Sequence, residues 1–586
     1  MNKNKSLFVL IIITSVFILL NFSLLIHLKF FSRFKIEYDY LKLDLRGFFE
    51  DQILKFIFQT NYVSTYDHRL NEYDIDSIHL QLKIDFNKSI VQGRERITFR
   101  FINESKNFTS NQKCKYLILH CGRNLKIKKI RLQIDKDLYY YRKGEFLFVR
   151  LINEEFPQSY TIFIDYEFKA SKDLNYKGFV FDKLNNHFYT LSEPYFGRYW
   201  YVTKEIPSDK FIFSSDIILP DTLFAVSNGI LVDSLSLGNG YKKFAYRSKY
   251  PVSHYLIFVA GGNYRIFEHT YHYSEKNLKF QHLLFPETYE LAKDDLYLLE
   301  NMYESLSMFL DEYPFIDELY GVVEVSWPYG GMEHQTRSAI TTLGFARFYP
   351  DISLQAHEFA HHWFGNSVTC KTFNDIWLNE GFATFAEEVA FIDDVNQIDK
   401  EIELQDMPYY HGRVYAPQGF IFSRTVYDKG AWILKMLMHE VGVNTFIKIL
   451  RTYLKEYEYS SASTEDFINV VNKFTKKDYR SFFNQWLYYR NDKPNFKIEY
   501  NSYKKDKNYI CIVKLSQIQP KEKYKGTYLI TLYYENDTEE EFRISLDERD
   551  RIFIFERDEK LRLVGIDRYN ENLDRNNLVL NENLKF

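Results

Sequence analysis

The sequence predicts a multidomain α+β protein, and three observations carry that expectation. At 586 residues the chain exceeds the size of about 250–300 residues at which single hydrophobic cores stop growing, so two to four domains are expected. Between about 70 and 265, short alternating runs such as IHLQLKIDF, ERITFRFIN and YTIFIDYEF are separated by Asn, Gly, Lys and Asp clusters, the pattern of an all-β, sandwich-like domain. From Pro286 the apolar spacing changes to three and four, as in YELAKDDLYLLENMYESLSMFL, and after Pro494 alternation returns in NFKIEYNSY, YICIVKLSQI and GTYLITLYYE.

Taken in order, the first element is apolar. Residues 7–28, LFVLIIITSVFILLNFSLLIHL, contain no Asp, Glu, Lys or Arg. As a helix they would extend about 33 Å, enough to cross a hydrocarbon layer of about 30 Å. No small-residue cleavage site follows, and the run leads directly into Lys29, Arg33 and Lys35, so an uncleaved single-pass membrane anchor is expected rather than a signal peptide. Lys3 and Lys5 nearly balance those three charges in a positive-inside comparison; the bulk of the chain is expected outside the cytoplasm, as in many anchored secreted proteins. The expected divisions are 1–35 for the anchor and its flanks, 36–65 for a connector, 66–265 for the β-domain, 266–493 for the mostly helical domain and 494–586 for a small C-terminal β-sandwich. Within 266–493, helices are expected over 286–315, 353–366, 379–391, 425–440, 443–457 and 464–486, with Ser353 as a helix N-cap.

Composition excludes several classes. The chain is 46% hydrophobic and 26% charged, which argues against both disorder and a polytopic membrane protein. Lys plus Arg number 75 against 79 Asp plus Glu, leaving no field to attract nucleic acid. The cysteines, Cys114, Cys121, Cys370 and Cys511, are too few and scattered for a disulfide framework. Cys114 and Cys121 could pair across a hairpin or remain two free thiols.

The chemistry centres on His357-Glu358-Phe359-Ala360-His361. On a helix, positions i and i+4 stand about 5–6 Å apart at Cβ, so both imidazoles can converge on one zinc ion. Glu358 is turned about 100° away and is left free to act as a general base. A catalytic zinc usually has three protein ligands, and Glu380, in WLNEGFATFAEE, is the third candidate. The pentapeptide alone is often a helical coincidence; Glu380 and its surroundings weigh against that.

HEFAHHWFGNSVT followed by DIWLNEGFATF resembles the zinc core of the aminopeptidase N and leukotriene hydrolase family of gluzincin metallopeptidases. The resemblance implies a saddle-like N-terminal β-sandwich, a thermolysin-like catalytic domain, one Zn2+ per chain on His357, His361 and Glu380, and Glu358 as the base. His362 stands where the family often has Gln and is not expected to be a ligand. Gly330-Gly331-Met332-Glu333-His334 is similar to the family's exopeptidase motif, glycine-x-Met-Glu-Asn. It implies a strand edge at Gly330, Gly331 and Met332 that pairs with substrate backbone, and a Glu333 carboxylate on the substrate's α-ammonium. His334, expected with them among the substrate-binding positions, departs from the family's Asn. Glu193-Pro194, with Arg198, Pro207 and Lys210, resembles the segment that supplies a second amine-binding group, Glu193; Val202, Thr203 and Glu205 depart from it. Tyr427, in TVYDKGAWILKML, falls on the family's catalytic tyrosine, a donor to the oxyanion. The activity implied is that of a zinc aminopeptidase acting on peptides with a free N-terminus. An endopeptidase or epoxide hydrolase on the same metal, or a catalytically silent membrane-anchored binding protein, are the alternatives.

Overall fold

A computed structural model describes residues 68–567, less the segments 103–113, 134–135, 153–158, 171–173, 175, 274–275, 329, 346–351, 395–396, 407–409, 411, 419, 489–492 and 520–522, and also residues 572 and 578–581. The expected anchor at 7–28 and the connector at 36–65 lie outside the described residues. Among the described residues no helix is long and apolar enough to cross a membrane.

The N-terminal part is built on an eight-stranded mixed sheet. Its strands run Ile230–Gly238, Tyr241–Val252, Phe211–Pro220, Tyr73–Asp85, Ile90–Phe101, Tyr160–Lys169, Lys126–Leu132 and Lys136–Asp137. Tyr73–Asp85 lies parallel to Phe211–Pro220 and antiparallel to Ile90–Phe101. Alternation decides the buried face: Ile78, Leu80, Leu82 and Ile84 have no exposed surface while their neighbours keep some, as a half-buried strand requires. A four-stranded and a three-stranded sheet complete this part. Cys114 and Cys121 cannot pair across a hairpin. Both lie along the single strand Cys114–His120 and its next residue, about 24 Å apart at 3.4 Å per residue, and Cys121 is free and buried.

The next part carries a five-stranded sheet that periodicity did not announce, in the order Arg265–Tyr273, Lys276–Leu284, Gly321–Val325, Arg337–Thr341 and Gly331–Met332. The same part carries helices α1 (Leu298–Leu310), α2 (Ile352–Ala360), α3 (Trp377–Val389), α4 (Arg424–Val441), α5 (Val443–Glu456), α6 (Thr464–Phe474) and α7 (Arg480–Tyr488), of which α2 packs against Gly331–Met332 and Arg337–Thr341. Three expectations are corrected here. The stretch 286–315 is broken: a short helix, Tyr289–Ala292, and a 3-10 turn precede α1. Ser353 lies inside the first turn of α2 rather than at its N-cap. The stretch 464–486 is two helices, because Asn472 turns the chain by accepting from the Tyr479 amide at 2.9 Å. One continuous apolar core runs from Leu70 through these helices to Tyr524.

After Phe496 the chain forms a four-stranded and a three-stranded sheet. Their inward residues, among them Phe496, Ile498, Val513, Tyr528, Ile530 and Leu546, make a second, separate core.

Candidate metal centre and active site

Helix α2 is buried around His357, Glu358, Phe359 and Ala360, so its polar side chains must meet partners inside the protein. The helix ends at Ala360, short of the expected 366, because the chain turns through Gly365 at φ +126°. The His361 amide still donates to the His357 carbonyl at 3.1 Å, which preserves the i, i+4 juxtaposition of the two imidazoles. Their Nε2 atoms are 3.0 Å apart. Glu380, in the first turn of α3, brings Oε2 to 3.6 Å from His357 Nε2 and 3.3 Å from His361 Nε2.

These three edges fit a metal. Ligands placed tetrahedrally about 2.0–2.1 Å from a zinc ion stand about 3.3–3.4 Å from one another, and two imidazole nitrogens facing each other need a cation or a shared proton between them. The far nitrogens are fixed as ligand imidazoles usually are. His357 Nδ1 meets Glu387 Oε2 at 3.2 Å, and His361 Nδ1 donates to the Phe364 carbonyl at 2.9 Å. Burial alone would lower both histidines, but Glu380 and Glu387 hold His357 well above its ordinary pKa, while Glu333 and Glu380 lift His361 to about 9. Burial would raise Glu380, yet the two imidazoles pull it down to about 2. The acids thus concentrate positive charge at the point where the three ligand atoms converge, and a divalent ion can replace the protons there.

Two further acids reach this point. One carboxylate oxygen each from Glu193 and Glu333 lies within 4.8 Å of one from Glu380, and Glu333, Glu358 and His361 form a second such group. Glu193 Oε1, Glu333 Oε1 and Glu358 Oε2 have no hydrogen-bond partner among the described residues. Burial pushes Glu358 up to about 8 against the pull of both histidines. Burial likewise raises Glu333, and Glu193 with Glu333 as neighbour. Buried acids with unsatisfied oxygens make a pocket that favours a cationic occupant.

Each acid is placed by a different element. Glu333 follows the strand Gly331–Met332, which pairs antiparallel with Ala339 and Ile340. A Cβ on Gly331 would sit 2.4 Å from Glu358 Oε1, so only glycine lets this strand approach the carboxyl group; Gly330 faces Leu354. Met332 is buried. His334 has no exposed surface and stacks on Phe258 at 4.2 Å, and burial drops its pKa to about 3. Glu193 comes from the N-terminal part. Its segment is anchored by the Arg198 amide, which donates to Glu205 Oε1 at 2.8 Å, and by Lys210, whose Nζ donates to the Asn366 and Ser367 carbonyls at 2.7 and 2.8 Å. Glu205, one of the departures from the family segment, is thus the partner of Arg198, and its carboxylate also pairs with the guanidinium.

Tyr427 stands in the first turn of α4, its ring 5.7 Å from that of His357 and inclined by 20°. Burial, reinforced by Glu380, Glu193, Glu333 and Glu358, raises its pKa well above the ordinary value, so the phenol keeps its proton as a donor. Helices α3 and α4 cross backbone to backbone: a Cβ on Gly381 would lie 2.8 Å from the Gly430 Cα. Sequence reasoning missed this crossing, and it missed Glu387. The signal for Glu387 was present, since it lies seven residues after Glu380 and therefore two turns along the same face of α3.

Comparisons with known proteins agree with this geometry. The model described as "Peptidase family M1 domain" matches residues 297–486, and "Peptidase M1 N-terminal domain" matches 64–256. Aminopeptidase M1-D of Oryza sativa subsp. japonica is 27% identical over 317 residues, 48% of this chain and 34% of that protein. Glutamyl aminopeptidase of Rattus norvegicus is 24% identical over 51% of this chain and 34% of its own length. Leukotriene A-4 hydrolase of Xenopus laevis is 23% identical over 69% of each. The chain thus spans about a third of the length of the rice and rat relatives. Among solved structures, Legionella pneumophila aminopeptidase A in complex with aspartic acid superposes with a TM-score of 0.72 at 18% identity, covering 89% of this chain and 61% of that one, a likeness of fold. With both family models matched in order along one chain, over a β-domain and a helical part that carries the converging histidines and acids, the chain belongs to peptidase family M1.

Proposed function

We propose that the chain is a zinc-dependent aminopeptidase that removes N-terminal residues from peptides. The observation that carries this reading is the convergence of Glu193 and Glu333 on the point where His357, His361 and Glu380 bring their ligand atoms together. His357, His361 and Glu380 would hold one Zn2+. The ion supplies Lewis acidity, polarising a carbonyl and acidifying a water. Glu358 takes a proton from the attacking water and passes it to the departing amine. Glu333, with Glu193, holds the substrate's α-ammonium, whose charge is matched to the unsatisfied carboxylate oxygens there. Gly330, Gly331 and Met332 offer the strand edge for the substrate backbone, and His334 packs behind it. Tyr427 donates to the oxygen on which negative charge develops. The divisions at 265 and 493 would separate the β-domain, the catalytic part and the C-terminal sandwich. The apolar run at 7–28 would anchor the protein in a membrane, with the catalytic part outside the cytoplasm; carbonate-resistant sedimentation with membranes, and protease access from outside, test this.

The activity is tested with free and N-acetylated aminoacyl fluorogenic amides, with chelator and zinc add-back. Cleavage of the free amides alone, lost with chelator and restored by zinc, is expected. Cleavage of blocked substrates as well would make the protein an endopeptidase. Silence on all, with an epoxide hydrolysed instead, would move the reading to that chemistry.

A further inference from the structure

Behind the acid cluster, a histidine that is neither ligand nor acid joins the segment after α2 to the strand that carries Glu333. His362 has no exposed surface. Its Nε2 accepts from the Thr336 amide at 3.0 Å, so that nitrogen bears no proton, and Nδ1–H donates to the Glu358 carbonyl at 3.2 Å. The rings of Tyr313, Phe315 and Tyr320 enclose the imidazole at centroid distances of 5.6, 5.8 and 5.0 Å. Both hydrogen bonds and the packing therefore define one tautomer in one orientation.

Thr336 sits at φ +67°, a left-handed conformation that a β-branched residue keeps only when its surroundings impose it. Besides His362, the Gly229 amide donates to Thr336 Oγ1 and the Gly321 amide to the Thr336 carbonyl, both at 3.0 Å. Thr336 lies in a tight turn closed by the Arg337 amide on the His334 carbonyl at 2.8 Å. On the other side of that turn, Asn366 Nδ2 donates to the Glu333 carbonyl at 2.7 Å. Two side chains that follow the metal-bearing helix thus grip the backbone at Glu333, just ahead of the turn, and at Thr336 within it.

We propose that His362 is a positioning residue for exopeptidase cleavage: with Asn366 it sets the register of the Glu333 strand against helix α2. This fixes the interval between the amine-binding carboxylate and the base Glu358. The proposal rests on the aminopeptidase reading given above. The interval must match one aminoacyl unit, and a misplacement of about 1 Å at a reacting centre can cost about a hundredfold in rate.

The test compares two inhibitors: an amino acid hydroxamate, and the same hydroxamate lacking the α-amine. His362→Phe keeps a ring in the aromatic cage and removes both hydrogen bonds. His362→Gln restores an acceptor for Thr336 and a donor for the Glu358 carbonyl. In His362→Phe, the Ki of the amine-bearing inhibitor rises tenfold or more while that of its des-amino partner stays within twofold and the zinc content is unchanged. KM for free aminoacyl amides rises more than kcat falls, and His362→Gln returns within threefold of the wild type. Equal weakening of both inhibitors, no weakening of either, or failure of His362→Gln to rescue would overturn the proposal. Asn366→Ala, which removes the other hydrogen bond alone, gives the same split in smaller measure. Should His362→Phe not fold, absence of the split in Asn366→Ala overturns the proposal instead. A wild type that ignores the amine on both inhibitors and substrates refutes the aminopeptidase reading, and the positioning role with it.

Discussion

The proposed site has two halves that differ in how they are built. The metal half, His357, His361 and Glu380, comes from two neighbouring helices and a stretch of chain only 24 residues long. The substrate half draws the amine-binding Glu193 from the N-terminal part and Glu333 from a sheet edge, and the oxyanion donor Tyr427 from the start of α4. In the first, helix geometry brings the two histidines together, and packing of the adjacent helix α3 against α2 adds Glu380. The second exists only after distant segments have folded onto one another through a shared core, so it depends on anchoring contacts such as Lys210 with the Asn366 carbonyl. The halves should therefore fail differently when altered.

The largest effect is expected at the seam between them. Glu358→Gln should lower kcat by about 10²–10⁴-fold while zinc content, measured by atomic emission, stays at one per chain; near-normal turnover would break the mechanism. Tyr427→Phe should lower kcat by about 10²–10³-fold with KM little changed, which steady-state kinetics will show. On the metal side, Glu387→Gln should weaken zinc binding by about 10–100-fold in chelator titrations and leave KM at saturating zinc alone. On the amine side the pattern inverts. Glu333→Gln should keep zinc and lose about 10–100-fold in kcat/KM for free amines, mostly through KM, since a charge-assisted hydrogen bond is worth about 1.5–3 kcal/mol. If Glu387→Gln raised KM, or Glu333→Gln lost zinc, the two halves would be one unit.

The last effect concerns the anchoring of the Glu193 segment and is one of stability rather than of turnover. Asp209, paired with Lys204 at 2.5 Å and accepting from the Ile75 amide at 3.2 Å, is pushed up to about 6 by burial. An unfolded aspartate titrates near about 3.9, so the folded chain holds this proton more tightly. The resulting stability is fully present below about pH 4 and is lost as pH rises through about 6. Asp209→Asn does not titrate. In urea unfolding, the wild type should lose about 2–3 kcal/mol relative to that variant between pH 4 and 7. A flat difference would mean that Lys204 compensates the charge fully.

The same contrast explains what could be read from the chain alone. A histidine pair at i, i+4 and an acid on the next helix follow from local rules, and the geometry brings them together within 3.6 Å. Glu193 and Tyr427 carry no such local signal; one tyrosine among 48 is singled out only by likeness to a family. The five-stranded sheet escaped notice because Gly321–Val325 and Arg337–Thr341 are buried at every position, and a strand buried on both faces shows no alternation. The end of α2 was misjudged because HHWFGN continues a helical pattern until the backbone of Gly365 turns it. His362 was set aside as a non-ligand, which its geometry bears out, but its grip on Thr336 depends on a contact 26 residues away that no spacing rule supplies.

Where α3 crosses α4, the closest approach is between Gly381 and Gly430, main chain against main chain. Most helix seams drift over generations, as one apolar residue is exchanged for another and the partners slide to refill the gap. At Gly381 and Gly430 that route is closed, because any added atom would collide with main chain. Glu380 and Tyr427 lie one and three residues from the crossing. The interval between these two groups is therefore set by main chain against main chain, and no exchange of one side chain for another can adjust it.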